Sequence, residues 1–412
     1  MNYLSNIIFA IVLIIGFGYF TINVKKLIRN IKLGQDVDVS DNKSQRWKNM
    51  AMIALGQSKM VRRPIAGFLH IIVYLGFIII NIEVLEIIID GLFGTHRIFA
   101  AGGLYAILIG SFEVLAVLVL IAVIIFWTRR NIIRIKRFWN NEMTAWPKND
   151  ANNILYFEMV LMSLFLIMNA TDISFQNMQS GNLVSQHIVH WFSGLTISTI
   201  HSIERAAWWL HILGILVFLN YLYFSKHLHI LLAFPNTFYG SLKPKGAFNN
   251  LESVTKEVKM MMDPTIDPFA ATSGDAEAPA KFGASDVQDL NWVQLLNAYT
   301  CTECGRCTSE CPANLTGKAL SPRKIMMDTR DRLEEVGKNI DTNKGTFKDD
   351  NNQLLDNYIT REELWACTSC NACVEACPVS INPLSIILDM RRYLVMEQSA
   401  APTELNGMMT NI

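Results

Sequence analysis

The sequence predicts an all-α membrane bundle of five transmembrane helices followed by a mostly α-helical cytoplasmic domain. Of the 412 residues, 51% are hydrophobic and only 17% are charged, whereas about a quarter of a soluble protein is charged. Residues 1–249 carry nine more basic than acidic residues, and residues 250–412 carry nine more acidic than basic ones. The chain therefore joins two differently solvated halves, and all eight cysteines lie in the second.

Five stretches with little or no charge make up most of the first half. Each approaches or exceeds the roughly 20 residues that an α-helix needs to cross a ~30 Å hydrocarbon core. The first has no basic segment before it and no small-residue cleavage site after it, so we expect a retained anchor rather than a secretory signal. The predicted spans are residues 4–24, 64–89, 103–127, 153–171 and 205–225.

The segments between these spans differ in charge. Residues 25–63 hold ten Lys and Arg residues, and residues 128–152 hold six. Residues 90–102 and 172–204 hold only Arg97. Because Lys and Arg are retained on the cytoplasmic side, we expect a multi-pass protein of the bacterial inner (cytoplasmic) membrane. Its amino terminus would lie outside and its carboxyl-terminal half in the cytoplasm.

Composition divides the chain into three predicted parts. A transmembrane domain covers residues 1–232, a connecting part covers 233–290 and a cytoplasmic domain covers 291–412. The connecting part contains a predicted short helix from about Leu251 to Met262. Residues 263–288 are rich in Pro, Ala, Gly and Asp, which is typical of a linker.

Two matching cysteine runs lie in the cytoplasmic domain. They are C-T-E-C-G-R-C-T-S-E-C-P from Cys301 and C-T-S-C-N-A-C-V-E-A-C-P from Cys367. Both match the C-x2-C-x2-C-x3-C-P run of bacterial two-cluster ferredoxins, in which the fourth cysteine binds the other cluster. The sequence therefore predicts a two-cluster ferredoxin-type core. Its first [4Fe-4S] cluster is held by Cys301, Cys304, Cys307 and Cys377, and its second by Cys367, Cys370, Cys373 and Cys311.

Zinc and disulfides explain these runs less well. Zinc sites use two C-x-x-C pairs, which gives no reason for a longer ladder that ends in Pro and is repeated. Disulfides need an oxidising compartment, which the predicted orientation excludes. Residues 312–366, between the runs, are mostly helical in pattern. We interpret them either as a solvated insertion or as a docking surface for a partner.

Histidines in the predicted spans suggest a further cofactor. His211 and His229 are 18 residues apart, which is five turns of a continuous helix, so both would lie on one face about 27 Å apart. His70, near the cytoplasmic start of the second span, would lie level with His229. Two imidazoles from different helices at one depth can bind the iron of a b-type haem. Alternatively, these histidines bind a polar neighbour, line a proton path or lie at the membrane interface.

His211 is the candidate ligand of a second haem at the outer side. Its partner would be one of four histidines on that side, namely His187, His190, His201 and His96. Glu83, Glu113 and Glu158 also lie within predicted spans. A carboxylate in lipid costs roughly 2.5–3.5 kcal/mol on insertion scales, so each has either a proton or ligand role or a structural hydrogen bond to a neighbouring helix.

These motifs resemble a known family. The five-helix half resembles the membrane γ subunit of respiratory nitrate reductase and the membrane subunit of methanogen heterodisulfide reductase. The resemblance rests on His70, on the spacing of His211 and His229, and on S-K-H-L-H-I from Ser225. One departure is Ile80, where the nitrate reductase γ subunit has a second histidine. The cysteine half resembles the two-cluster portion of the catalytic subunit of heterodisulfide reductase.

Fusions of these two halves resemble iron–sulfur quinone oxidoreductases linked to electron-transfer flavoprotein. The resemblance implies an oxidoreductase subunit that passes electrons between a cytoplasmic iron–sulfur or flavoprotein partner and membrane menaquinone. It implies one or two b-type haems, and as partner a separate subunit with C-C-G motifs, electron-transfer flavoprotein, or both. An alternative is a redox-sensing or ion-translocating membrane protein gated by its clusters. No dinucleotide, nucleoside triphosphate or nucleic-acid motif is present.

Overall fold

The computed structural model describes residues 3–101, 104–244, 246–263 and 281–411. Within these ranges the chain forms helices and no strand, apart from isolated β-bridges at Gln35–Asn291 and Leu355–Ile359. Most of the predicted linker, residues 264–280, lies outside them. The predicted all-α class is confirmed.

The α-helices are numbered in chain order, and short 3-10 or π turns separate several of them. They are α1 Leu4–Ile31, α2 Lys43–Met50, α3 Pro64–Phe93, α4 Tyr105–Asn131, α5 Ala145–Thr171, α6 Ile173–Asn177, α7 Ser185–Ile188, α8 Ile197–Tyr221, α9 His229–Phe238, α10 Glu252–Met262, α11 Trp292–Thr300, α12 Arg306–Ser309, α13 Pro312–Leu315, α14 Pro322–Thr342, α15 Leu354–Asn357, α16 Arg361–Trp365, α17 Ala372–Ala376, α18 Pro383–Arg392 and α19 Thr403–Thr410.

Five helices are long and apolar enough to cross a membrane, as predicted. They are α1, α3, α4, α5 and α8, the last continued by a 3-10 turn to Phe224. The helices are longer than the apolar stretches because their ends include polar turns. For example, α5 begins at Ala145 rather than at residue 153, and α8 begins at Ile197 rather than at 205.

The chain divides into two compact units. The first comprises Met1–Lys25 and Met60–Leu228, and it contains most of the apolar helices. Its core includes the fully buried Phe112 and Phe165. Glycine allows close approach between α1 and α3, since a Cβ atom on Gly91 would lie 2.4 Å from the ring of Phe9. Such small residues are typical of membrane helix interfaces.

The second unit comprises Lys26–Lys59 and His229–Ile412, so it includes the last turns of α1 and the segment after them. Asn30 donates a hydrogen bond to the hydroxyl of Tyr299 (3.0 Å), and Arg29 donates to the carbonyl of Gly337 (3.0 Å). These contacts join the segment to α11 and α14. Residues that follow the first span are therefore part of the cysteine-bearing unit.

The prediction that one continuous helix carries His211 and His229 is wrong. Helix α8 ends at Tyr221, and Ser225 has extended backbone angles (φ −112°, ψ 147°) between two 3-10 turns. Helix α9 then begins at His229. Asp150 supports the break, because its carboxylate accepts hydrogen bonds from the Tyr221 hydroxyl (2.7 Å) and the Lys226 amide (3.1 Å). His211 and His229 are therefore not separated by five turns of one helix.

Candidate functional site

The two cysteine runs adopt the same unusual backbone. Glu303 and Ser369, each two residues after the first cysteine of a run, have positive φ angles of 54° and 57°. Gly305 and Asn371, each directly after the second cysteine, have φ angles of 69° and 62°. Left-handed conformations are unfavourable for most residues. Their repetition at matching positions indicates that the sequence repeat is also a structural repeat.

This backbone brings cysteines of the two runs together. Cys307 lies within electrostatic range of Cys301 and Cys304, and also of Cys377 and Cys373 from the other run. Cys373 lies within range of Cys367 and Cys370, and also of Cys311 from the other run. The fourth cysteine of each run therefore lies near cysteines of the other run, which agrees with the exchange of ligands in the ferredoxin spacing. Which four cysteines share a cluster stays a prediction.

All four cysteines of the first set line one small pocket in the second unit. Within the described residues, no three Cys, His or acidic side chains lie as close together as the ligands of a single metal ion. A cubane cluster needs wider spacing, since its four thiolates bind four different irons. All eight cysteines carry free thiols. The donor set therefore fits two cubanes rather than a single-ion site or disulfides.

Hydrogen bonds and burial also suit sulfur ligands. The Ser369 amide donates to Sγ of Cys367 (3.4 Å), and the Ile381 amide donates to Sγ of Cys377 (3.3 Å). Hydrogen bonds to the sulfurs tune the reduction potential of iron–sulfur clusters. Burial raises the pKa of the Cys301 thiol to about 12 and that of Cys377 to about 11. Metal binding requires deprotonated thiols, so iron would supply the charge that balances these buried thiolates.

Helix α14 supports the first cysteine loop. Arg330 forms an ion pair with the buried carboxylate of Glu303 (2.8 Å). The fully buried Arg323 donates to the backbone carbonyl of the same residue (3.4 Å). Arg332, also fully buried, pairs with Asp286 (2.9 Å). The interpretation of residues 312–366 as a solvated insertion is therefore wrong for this helix, which packs into the core of its unit.

Helix α9 supports the loop that follows Cys377. Asn236 in α9 donates a hydrogen bond to the carbonyl of Val379 (2.8 Å). Lys59 donates to the hydroxyl of Ser380 (3.2 Å). The helix that begins at His229 is thus in direct contact with the loop of the first cysteine set.

The predicted haem ligands lie on separate helices. His70 is half-buried in α3 of the first unit, and His229 is half-buried at the start of α9 in the second unit. His211 is buried in α8, with its ring 6.1 Å from that of Phe165. Its Nδ1 atom has no hydrogen-bond partner among the described residues.

The four candidate partners of His211 have other surroundings. His96 lies 3.1 Å from a carboxylate oxygen of Asp172, which raises the pKa of the imidazole. His201 lies 3.8 Å from Glu204. The remaining two, His187 and His190, are exposed. In the part of the chain that the structure describes, no hydrogen bond or ion pair joins any of the four to His211.

The three predicted carboxyl groups differ in environment. Glu113 is fully buried and accepts hydrogen bonds from Asn169 (3.0 Å) and from the amides of Val184 (2.7 Å) and Ser185 (3.0 Å). It therefore holds a connecting loop against α4, which is a structural role. Glu158 is half-buried, whereas Glu83 is buried at a polar cavity.

Sequence reasoning missed most of this polar cavity. Arg97 is buried there and bonds to Asp172 (2.7 Å), to the Tyr105 hydroxyl (3.0 Å) and to Asn169 (2.8 Å). The sequence did contain a signal for this residue. Arg97 is the single Lys or Arg residue in the two connecting segments 90–102 and 172–204.

The fold and the paired cysteine sets define the class: a helical iron–sulfur protein with five helices of membrane-spanning length. Residues 300–381 match the family described as 4Fe-4S dicluster domain. The predicted iron–sulfur clusters are therefore confirmed as a cofactor of this chain.

Relatives agree with this class. The chain is 29% identical to the probable iron-sulfur-binding oxidoreductase FadF of Bacillus subtilis, over 98% of this chain and 58% of that protein. It is 23% identical to the EtfAB:quinone oxidoreductase of Syntrophomonas wolfei, over 92% of this chain and 52% of that protein. It is 32% identical to one component of a CoB-CoM heterodisulfide reductase of Methanosarcina acetivorans, over 26% of this chain and 52% of that protein.

The chain thus spans little more than half the length of these curated relatives. No solved structure matches it. The predicted resemblance to iron–sulfur oxidoreductases and to heterodisulfide reductase is confirmed.

Proposed function

We propose that this chain is the membrane electron-transfer subunit of a quinone oxidoreductase. It would pass electrons between a cytoplasmic partner and membrane quinone, with menaquinone as the expected substrate. A relative that aligns with 92% of the chain is named an EtfAB:quinone oxidoreductase, and five helices have membrane-spanning length. Electron-transfer flavoprotein or a C-C-G-motif subunit is the proposed partner, on the cytoplasmic face of a bacterial inner membrane.

The cysteine sets would hold the two clusters. Each cluster, when bound, accepts and releases one electron at a time. The ligands of the first are Cys301, Cys304, Cys307 and Cys377, and those of the second are Cys367, Cys370, Cys373 and Cys311. The contact that carries the proposal is the bond between Asn236 and Val379, because it joins the first cluster loop to the helix that begins at His229. Electron transfer needs the redox groups to be close, and this helix extends from the cluster loop to a candidate haem ligand.

His70 and His229 are the proposed ligands of b-type haem iron, which would relay electrons toward the quinone. Each presents an imidazole, the usual axial ligand of such haems. His211 stays the predicted ligand of a second haem, since its buried Nδ1 atom has no hydrogen-bond partner among the described residues.

The haem assignment is tested by absorption spectra of anaerobically purified protein. We expect a b-type spectrum in the wild type, its loss in His70→Ala and His229→Ala, and its retention in His227→Ala. His227 is the matched control, because this half-buried imidazole lies two residues from His229 and packs 5.4 Å from the ring of Phe218. A wild type without haem, or a spectrum that survives the double substitution of His70 and His229, would remove the assignment.

Quinone reduction is tested in liposomes that contain menaquinone. Protein whose clusters have been reduced chemically is expected to form menaquinol. Reduced clusters that reoxidise without menaquinol, or that stay reduced, would contradict the proposal and favour a sensing or ion-translocating role.

A further inference from the structure

A cavity of about 180 Å³ lies at the end of the first unit where α3 ends and α8 begins. Gly94 and Thr95 line it and are exposed, so it opens at the surface. In the proposed orientation this is the outer side of the membrane. Binding sites that enclose a whole small ligand usually measure about 300–1,000 Å³, so this smaller cavity can hold one ring system of a ligand rather than a whole large molecule.

One wall is polar and mostly satisfied. Asp90 accepts hydrogen bonds from the Thr95 hydroxyl (2.5 Å) and the Arg97 amide (2.7 Å). Glu86 accepts one from the Phe99 amide (2.9 Å). These hydrogen bonds satisfy the carboxylates of Asp90 and Glu86, so a structural role is enough to explain both residues.

Glu83 is the exception in this wall. Its side chain lines the cavity and is only 2% exposed. One of its carboxyl oxygens has no hydrogen-bond partner within the described residues. An unpartnered buried carboxyl oxygen is costly, and it marks Glu83 as the carboxyl group of this wall whose hydrogen bonds are incomplete.

The opposite wall is aromatic. The ring of Phe9 lies 5.3 Å from that of Trp208 and 5.8 Å from that of Trp209, measured between centroids. All three residues line the cavity. Gly91 leaves room for the ring of Phe9, which holds this aromatic wall beside α3. A planar ring fits between an aromatic wall and a hydrogen-bonding carboxyl group.

We propose that this cavity binds the head ring of a quinone and that Glu83 is the proton donor to one of its carbonyl oxygens. This inference rests on the proposed function and adds a location and a catalytic residue to it. Five acidic residues line the cavity together with His96, Arg97 and Arg205. This acidic excess favours a neutral ligand with acceptor oxygens over an anionic lipid headgroup, because carboxylates repel anions.

The reaction balances as quinone plus two electrons plus two protons giving quinol. The two electrons arrive through the chain from its cytoplasmic partner. One proton passes from the Glu83 carboxyl to a quinone oxygen, forming an O–H bond, and the carboxylate is reprotonated from water at the cavity mouth. The second proton comes directly from that water to the other oxygen. Reverse flow returns both protons to the same side.

Two substitutions separate proton donation from binding. Glu83→Gln keeps a hydrogen-bonding group but no transferable proton, so we expect kcat for quinone reduction to fall by about 100-fold with little change in KM. Trp208→Leu removes part of the aromatic wall, so we expect a raised KM. Glu158→Gln is the matched control, since this half-buried carboxyl group lies outside the cavity lining and should leave both constants unchanged.

Binding is tested independently with an azido-substituted short-chain menaquinone that is activated by light. Crosslinks are expected in peptides that contain residues 83–97 or 204–209 and should be lost on competition with unmodified menaquinone. Iron–sulfur spectra of every variant report folding of the cysteine-bearing unit, and circular dichroism reports the helix content of the whole chain. Crosslinks confined to other peptides would overturn the inference.

The outcomes also separate this inference from the proposed function. If the wild type reduces quinone and Glu83→Gln does so equally well, the inference fails and the proposed function stands. If the wild type reduces no quinone, the proposed function fails, and the crosslinks alone decide whether the cavity binds a quinone ring.

Discussion

The two cysteine loops share a backbone but differ in their surroundings. In the first loop Glu303 is buried and paired with Arg330. In the second loop the matching residue is Ser369, whose hydroxyl accepts a longer hydrogen bond from Arg391 (3.4 Å). Cys370 is the exposed cysteine of the eight. A duplicated local fold therefore has one shielded copy and one copy open to solvent.

This difference in exposure suggests at which cysteine set electrons enter or leave the cysteine-bearing unit. The shielded loop includes the contact between α9 and the residues that follow Cys377, whereas the open loop presents Cys370 to solvent. We expect a soluble partner to exchange electrons at the second set.

The largest effects are expected from Cys→Ser substitutions that test whether the two loops exchange their fourth ligands. Cys377→Ser lies in the second run, yet we expect it to abolish the same cluster as Cys301→Ser, while Cys367→Ser abolishes the other. Iron content should fall by about half in each variant. Electron paramagnetic resonance of the reduced proteins measures which cluster is left. Identical spectra for Cys377→Ser and Cys367→Ser would show instead that each run binds its own cluster.

Oxidation should then distinguish the open copy from the shielded one. Because Cys370 is exposed and Cys301 is buried, ferricyanide is expected to destroy the second cluster before the first. Iron release should have two phases, and resonance spectra taken between them should resemble the spectrum of Cys367→Ser. A single phase would mean that the two loops are equally protected.

A smaller effect is expected when the ion pair of the shielded loop is broken. Arg330→Ala leaves the carboxylate of Glu303 buried without its partner, and breaking a buried pair costs about 3–5 kcal/mol. Arg361→Ala is the control, since its pair with Asp356 is 44% and 43% exposed and such surface pairs contribute about 0–1 kcal/mol. Denaturant unfolding followed through cluster absorbance measures both. Equal losses would show that Arg330 contributes no more than a surface charge.

The cysteine loops were predictable from sequence because their chemistry is local. Four thiols at fixed spacing determine which irons they can reach, and the repeat from Cys301 recurs from Cys367. The five apolar helices were predictable for a similar reason, since a membrane-length helix needs only a continuous apolar stretch.

Features that depend on distant residues were not predictable. The break between α8 and α9 is stabilised by Asp150, which lies more than 70 residues earlier in the sequence. Hydropathy alone does not reveal such a carboxylate, and the sequence pattern therefore predicts one helix for His211 and His229. The packing of residues 26–59 with the cysteine unit likewise depends on pairs such as Asn30 and Tyr299.

The smallest effect concerns a second backbone position at which the two loops differ in residue type but not in conformation. Gly305 and Asn371 both have positive φ angles. Gly305→Ala places a Cβ atom in the left-handed region, which costs about 1–2 kcal/mol, whereas Asn371→Gly should change stability by only a few tenths of a kcal/mol, because asparagine already tolerates this region. Thermal unfolding followed through cluster absorbance compares them. If Gly305→Ala is as stable as the wild type, the first loop can relax away from the left-handed conformation, and the structural repeat is less strict than the matching φ angles indicate.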